Sequence, residues 1–359
     1  MKVINMWATM LKADMILYED VNSNHGALIL PKGTILDKDQ IIKILINKIE
    51  KVRIIIPEQS DTKTVELPNI TSIYESQKLN TFRTKYIQKV DDITNIIKQI
   101  GRGASINIGY VKSISNNIMD EFKSLNDVVN FMHLVKPLND YTYSHSLNVS
   151  LMGMTIAKWL NFNERQTDEI AIAGLLHDIG KTKISDEILS KPGKLTPEEF
   201  DEVKKHTTLG YLMVENLPEI STGIKYSILM HHEKIDGSGY PTNAKENQIP
   251  VYAKVIAMAD IYDAMTSSRT YRERLCPFDV IKEFERDTYG KLDTHILTVF
   301  LKNIANSYLG DYVELSNGEI AEIVFINPNR IWQPIVRSGS NYIDLSDQSA
   351  NGLCIIKII

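Results

Sequence analysis

The sequence predicts a multidomain α+β protein, with an all-helical centre between a small N-terminal α/β region and a small C-terminal β module. Three observations carry this reading. Short apolar runs broken by turn residues occupy the chain up to Ile56, helical periodicity runs through the middle, and the last fifty positions return to short strand-like runs. At 359 residues the chain has room for two or three domains, taking roughly 150 residues for each.

Near the N-terminus, Ala27-Leu28-Ile29-Leu30 follows the turn residues Asn24-His25-Gly26, and Gly33 precedes Thr34-Ile35-Leu36, which predicts a hairpin-rich unit. Asp37 is an N-cap with Gln40 at the capping-box position, and Ile41, Ile42, Leu45 and Ile46 form the apolar stripe of a helix ahead of a strand, Val52-Arg53-Ile54-Ile55-Ile56. The polar stretch from Pro57 to Thr71 reads as a linker. Helical periodicity then covers about 72–100 and 109–123, divided by Gly101-Arg102-Gly103. Ala171-Ile172-Ala173-Gly174-Leu175-Leu176 predicts a buried helix whose small residues permit close packing. At the C-terminal end, Tyr312–Leu315, Ile320–Phe325, Trp332–Val336 and Cys354–Ile359 predict strands, with turns at Asn317-Gly318, Asn327-Pro328-Asn329 and Ser338-Gly339-Ser340. The isoleucine-rich final strand is expected to pair into a sheet rather than stay an exposed edge.

With 43% hydrophobic and 24% charged residues the composition is that of a globular protein. A net charge of -5 argues against a general binder of nucleic-acid polymers. Cys276 and Cys354 are too few for a disulfide framework, so a reducing cytoplasm is the expected location. No apolar stretch approaches the roughly 20 residues needed to cross a membrane, and Met1-Lys2-Val3-Ile4-Asn5 is followed by no signal-peptide core. The expectation is a soluble protein.

The most informative segment is Leu176-His177-Asp178-Ile179-Gly180-Lys181. An HD pair at the end of an apolar run is delivered into the interior, where unpaired polar groups are costly and a metal ion would satisfy both. An HD dipeptide alone is usually accidental; its company changes that. Of eight histidines, five fall between positions 145 and 232, namely His145, His177, His206, His231 and His232. His25 is read as a turn residue and His133 as a helix residue. Asp260, in the apolar run Val255–Met265, adds a second carboxylate. Imidazole and carboxylate ligands suit iron, manganese, zinc or similar ions, and the lack of paired cysteines excludes a thiolate site.

The order His145, His177-Asp178, His206, His231-His232-Glu233-Lys234-Ile235-Asp236-Gly237-Ser238-Gly239-Tyr240-Pro241, then Asp260, resembles the HD-GYP family. The resemblance covers roughly residues 127–309 and implies the all-helical HD hydrolase fold and a cyclic dinucleotide phosphodiesterase. It divides the chain into an N-terminal region with linker (1–70), a helical connector (71–126), the catalytic domain (127–309) and the β module (310–359). It also implies two divalent transition-metal ions, Fe or Mn. His145, His177, Asp178 and Asp260 would hold one, and His206, His231 and His232 the other, with Asp178 bridging.

The chemistry asks for such a site. A phosphodiester is an anion that repels hydroxide, and two metals roughly 3.5–4 Å apart lower the pKa of a shared water and neutralise charge at the attacking and leaving oxygens. Lys181, four residues past His177, lies about one helical turn on and would place an ammonium near the scissile phosphate. The plainer reading is a surface lysine after a helix stop at Gly180. Gly237 and Gly239 permit positive φ and close backbone approach, so the loop can present Tyr240, with Pro241 setting its exit; an ordinary turn with a surface tyrosine is the alternative. In Thr266-Ser267-Ser268-Arg269-Thr270-Tyr271-Arg272, Arg269 and Arg272 share a helix face and can grip phosphate, or else lie solvated.

One position departs from a subgroup of that family, which carries a glutamate four residues before the first histidine to help bind a third metal. Here Tyr141 stands there, and Asp140 lies about 140° away around a helix, so two metals are expected. Cyclic di-GMP is the leading substrate, cleaved to linear pGpG with further conversion to GMP left open. A receptor that binds without cleaving, and a phosphodiesterase for cyclic GMP-AMP, remain the alternatives. The N-terminal region is the part available for a homodimer contact or a signalling partner.

Overall fold

A computed structural model of the chain describes residues 2–8, 11, 15–22, 28–37, 40–41, 43–44, 47, 49, 51–56, 71–134, 141–267, 275–339, 341–347, 350 and 352–359. The chain divides into two compact units, 1–82 and 83–359.

The first unit holds β1 (Lys2–Trp7), β2 (Ile16–Leu17), β3 (Val21–Asn22), β4 (Leu28–Leu30) and β5 (Lys51–Ile56). Strand β5 is central and antiparallel to both β1 and β2, while β3 and β4 pair as a separate hairpin. Leu17, Leu36, Ile41 and Ile54 are buried in one cluster. Gln40 N donates to Asp37 Oδ1 and Asp37 N to Gln40 Oε1, both at 2.8 Å, the reciprocal pair expected at this helix start. Ile42, Leu45, Ile46, the turn at His25 and the linker 57–70 lie outside the described residues. Strand β1 was not among the expected strands; its partner β5 is distant in sequence, so nothing local announces the pair.

Helix α1 (Thr71–Gly101) carries the chain from the first unit into the second. There follow α2 (Ile108–Met119), α3 (Leu125–Leu134), α4 (Tyr141–Trp159), α5 (Glu164–Leu176), α6 (Asp186–Leu189), α7 (Pro197–Lys204), α8 (His206–Val214), α9 (Thr222–Met230), α10 (Val251–Thr266), α11 (Pro277–Asp287) and α12 (Thr294–Ser307). Helices α4, α5 and α10 form the centre. Leu147, Met152, Ile170, Ile172, Val255 and Met258 are all buried, as expected where a helix is apolar on most sides. Asn163 and Gln166 make a capping box that starts α5, and Thr196 with Glu199 makes another ahead of α7. Among the described residues no helix is long and apolar enough to cross a membrane.

The C-terminal residues form a five-stranded antiparallel sheet of β6 (Tyr312–Leu315), β7 (Ile320–Phe325), β8 (Ile335–Ser338), β9 (Asn341–Asp344) and β10 (Ile355–Ile358), ordered β10-β6-β7-β8-β9. Val313, Leu315, Ala321, Ile323 and Val336 fill its inner face with the alternation of a half-buried sheet. Two expectations are corrected here. The expected strand at 332–336 begins only at Ile335, and it pairs with β9, an unforeseen strand whose residues are exposed or half-buried and so show no apolar alternation. The final strand pairs with β6, yet it is itself the sheet edge.

Helices α4 and α5 approach so closely that a Cβ on Gly174 would lie 2.6 Å from Ser150 Cα. Ser150 Oγ also donates to Ala171 O at 2.8 Å, clamping the same crossing. Gly174→Ala should therefore destabilise the protein by about 1–3 kcal/mol or more through overpacking. A fall in the denaturant midpoint at constant slope checks this.

Candidate metal centre

Three histidines stand where helices stop. His177 is the C-cap of α5, His231 the C-cap of α9, and His206 follows the last turn of α7. Each uses Nδ1 to donate to a carbonyl three residues back: His177 to Gly174 O at 2.8 Å, His206 to Val203 O at 2.7 Å, His231 to Ile228 O at 3.0 Å. The last carbonyls of a helix have no intrahelical partner, so the bond satisfies them while it fixes the ring. It leaves Nε2 as the lone-pair nitrogen, turned to the interior.

These rings converge on Asp178, whose backbone (φ -98°, ψ 9°) turns the chain out of α5 into a 3₁₀ segment, Ile179–Lys183. Two potential ligand groups share Asp178: His145 and His177 on one side, and His206, His231 and His232 on the other, with ligand atoms in each group within 4.8 Å of one another. Asp178 Oδ2 is 3.3 Å from His177 Nε2 and 3.9 Å from His145 Nε2, and Oδ1 is 3.3 Å from His206 Nε2. Asp260 on α10 also reaches the centre, 3.1 Å from His145 Nε2 and 3.8 Å from His232 Nδ1. Gly180 permits this convergence: a Cβ there would fall 1.9 Å from His206 O, so only glycine lets α8 come up against the HD turn. The plainer alternative for Lys181, a surface lysine after a helix stop at Gly180, does not describe the backbone, because α5 has already ended at Leu176.

The donor set fits a divalent cation. His177 Nε2 and Asp178 Oδ1 are buried without a well-formed hydrogen bond, which is costly unless something else coordinates them. Burial, with the neighbouring imidazoles, pushes His231 well below its ordinary pKa; burial lowers His206, and brings His232 to about 4 despite Asp260. All three are neutral at pH 7, the form that binds a metal. Burial disfavours the charged form of Asp178, yet His177 and the Lys181 ammonium hold its carboxyl well below the usual range. Burial likewise opposes a charged His145, but its bonds to Asp260 and Asp263 raise its pKa to about 10. The carboxylates thus draw positive charge into this pocket.

Lys181 is not one helical turn beyond His177, because the backbone turns at Asp178; its Nζ instead donates to Asp178 Oδ2 at 2.5 Å. In the loop after α9, Gly237 takes the positive φ (+81°), while Gly239 allows close approach, its Cβ position being 2.4 Å from Glu233 Cα. Tyr240 stands with its ring 4.8 Å from His232, and burial raises its phenol pKa. A cleft of about 850 Å³, within the roughly 300–1,000 Å³ of small-molecule sites, opens beside it, lined by Phe200, Lys204, Lys205, Lys234, His232 and Tyr240. Arg269 and Arg272 lie outside the described residues, as does Asp140; Tyr141 is the first residue of α4.

Sequence reasoning missed several residues. Buried Glu233 accepts from Thr242 N (2.6 Å), Thr242 Oγ1 (2.8 Å) and Ala244 N (3.1 Å), tying the loop beneath Tyr240. Asp263 accepts from His145 Nδ1 at 2.6 Å, and its only sequence signal is its place one turn after Asp260. Phe200 and Lys204 belong to an amphipathic helix and gave no sign of facing a site; Lys204 Nζ sits 4.7 Å above the Phe200 ring.

Residues 133–295 match the model of the HD domain family. The chain is 34% identical over 203 residues to a cyclic di-GMP phosphodiesterase of Pseudomonas aeruginosa, covering 56% of this chain and 49% of that one. It is 38% identical over 180 residues to a cyclic di-GMP phosphodiesterase of Thermotoga maritima (49% and 48%), and 30% identical over 177 residues to a 3'3'-cGAMP-specific phosphodiesterase of Vibrio cholerae (49% and 41%). The chain thus spans about half the length of the curated relatives it matches. With this match, these relatives and the clustered histidine and aspartate residues together, the chain carries an HD domain over residues 133–295, consistent with the HD-GYP pattern of its motifs.

Proposed function

We propose that the protein hydrolyses cyclic di-GMP to linear pGpG at a two-metal centre, with residues 127–309 as its catalytic domain. The observation that carries the reading is the pair of buried, pre-oriented ligand groups sharing Asp178 beside a cleft lined by Lys204, Lys205 and Lys234. His145, His177, Asp178 and Asp260 are assigned to one ion and His206, His231 and His232 to the other, Asp178 serving both; Fe or Mn suits this set of imidazoles and carboxylates. Such ions, when bound, supply a water acidified towards neutral pKa and positive charge at the phosphoryl oxygens. Residues 1–70, 71–126 and 310–359 are assigned as N-terminal region, connector and β module. Two thiols without a disulfide, Cys276 and Cys354, fit a reducing cytoplasm.

Hydrolysis adds a water oxygen to phosphorus, breaks the P–O3′ bond and returns a proton to the leaving oxygen. Lys181 is placed to exchange its carboxylate partner for a phosphoryl oxygen, stabilising charge that grows as that bond breaks. Phe200 and Tyr240 offer apolar ring surface to a base, and the cleft lysines offer charge to the phosphate that is not cleaved. Arg269 and Arg272 are assigned to the same phosphate. The similarity to a 3'3'-cGAMP-specific relative favours cyclic GMP-AMP as the second candidate substrate.

Product analysis with both dinucleotides tests the reading; binding of either without turnover in the metal-loaded protein would make it a receptor. Asp178→Ala should abolish turnover and lower metal content at both positions, whereas two retained ions and a wild-type rate would remove its shared role. Lys181→Ala should keep both ions and slow turnover by on the order of 10²-fold. Arg269→Ala and Arg272→Ala should each weaken binding by about 1.5–3 kcal/mol. Because both arginines would hold ground state and transition state alike, the loss should appear in KM more than in kcat.

A further inference from the structure

We propose that Tyr86 is a positioning residue for the metal centre: acting through Asn148 and Asp263, it holds the ring of His145, and so ties binding of one ion to the seating of α1 against α4. The inference rests on the ligand assignment above.

Tyr86 lies on the apolar stripe of α1 with Val90, Ile93 and Ile97, all buried, and its ring meets Phe131 edge-on at 5.6 Å. Packing alone would be served by phenylalanine. The hydroxyl does more: it donates to Asn148 Oδ1 at 2.6 Å, with Ser144 O at 3.3 Å. Asn148 Nδ2 in turn donates to Asp263 Oδ1 at 2.8 Å, and Asp263 Oδ2 accepts from His145 Nδ1 at 2.6 Å. His145 Nε2 then faces Asp260 and Asp178.

The chain of bonds has one sense. A carboxylate only accepts, so Asp263 requires the NH₂ side of the Asn148 amide, which leaves Oδ1 to accept from Tyr86. The tyrosine proton thereby sets which way the amide faces, and the amide with Ser267 Oγ (3.0 Å) sets the carboxylate plane. Tyr86, His145 and Asp263 are buried, so water is a poor substitute for a lost member, and a missing bond is felt along the network.

His145 differs here from the three rings at helix ends. His177, His206 and His231 take their orientation from carbonyls three residues back, whereas His145 Nδ1 is bonded to a side chain of α10, itself braced from α4 and α1. Disturbing Tyr86 should therefore reach one ion and spare the other. A residue that merely stabilised the fold would not discriminate between them.

The test uses the full-length protein stripped of metal and titrated with Mn²⁺ by calorimetry and electron paramagnetic resonance. The wild type should take up two ions. Tyr86→Phe should weaken one by about 3- to 10-fold, as for one lost buried hydrogen bond, and leave the other within twofold. Asn148→Ala should weaken the same ion by roughly 10- to 100-fold, and the double variant should be no worse than Asn148→Ala, because the bonds act in series. Ile93→Val on the same helix, which loses packing but no hydrogen bond, should lower thermal stability and change neither affinity. Wild type with two ions and a Tyr86→Phe protein with both affinities unchanged overturns the relay alone, as do two affinities lowered in parallel. A wild type that binds no Mn²⁺ overturns the ligand assignment and the relay together.

Discussion

Three carboxylates, Asp178, Asp260 and Asp263, are gathered around one buried histidine, and the central part of the helical unit is arranged around that fact. Charges withdrawn from water carry penalties of several kcal/mol each unless they are paired and hydrogen-bonded. Every element that reaches this pocket brings a partner: α4 brings His145 and Asn148, the HD turn brings Lys181, and α9 ends in His231 and His232. Lys181 brings positive charge to Asp178, while burial keeps His206, His231 and His232 neutral, with lone pairs for coordination.

Local structure makes this convergence possible. Helices α5, α7 and α9 stop at the site, and their unsatisfied C-terminal carbonyls become acceptors for imidazole N–H groups, so the same bond closes a helix and aims a ligand. Small residues do the rest. Gly174 lets α4 and α5 touch backbone to backbone, and Gly180 lets α8 meet the turn that holds Asp178. The ligands are therefore carried on helices and helix ends rather than on long loops, which is what pre-orientation of a metal site requires.

The cleft beside the centre joins two segments whose chemistry differs. The loop 231–241 is held by Glu233 through backbone donors and presents Tyr240, while α7 contributes an exposed ring and cationic side chains. Lys204 over the rings of Phe200 and Tyr240 places charge and aromatic surface together, a combination suited to an anionic ligand that carries bases.

The sequence by itself determined the identity and order of the histidines and aspartates at this centre, the helical character of the middle and the β character of the ends. Ligand chemistry resides in side-chain type, and apolar periodicity reports the environment of a segment locally. Strand β1, strand β9 and the route of Lys181 to Asp178 were decided by tertiary pairing and by a backbone turn that no period announces. Asp263 and Asn148 were likewise invisible as partners, because their bond joins positions 115 residues apart and each residue alone reads as an ordinary polar group on a helix. Only the packing of α1, α4 and α10 brings Tyr86, Asn148, Asp263 and His145 into one line, since hydrogen bonds between distant helices depend on where backbones cross in space and leave no spacing in the chain to be read.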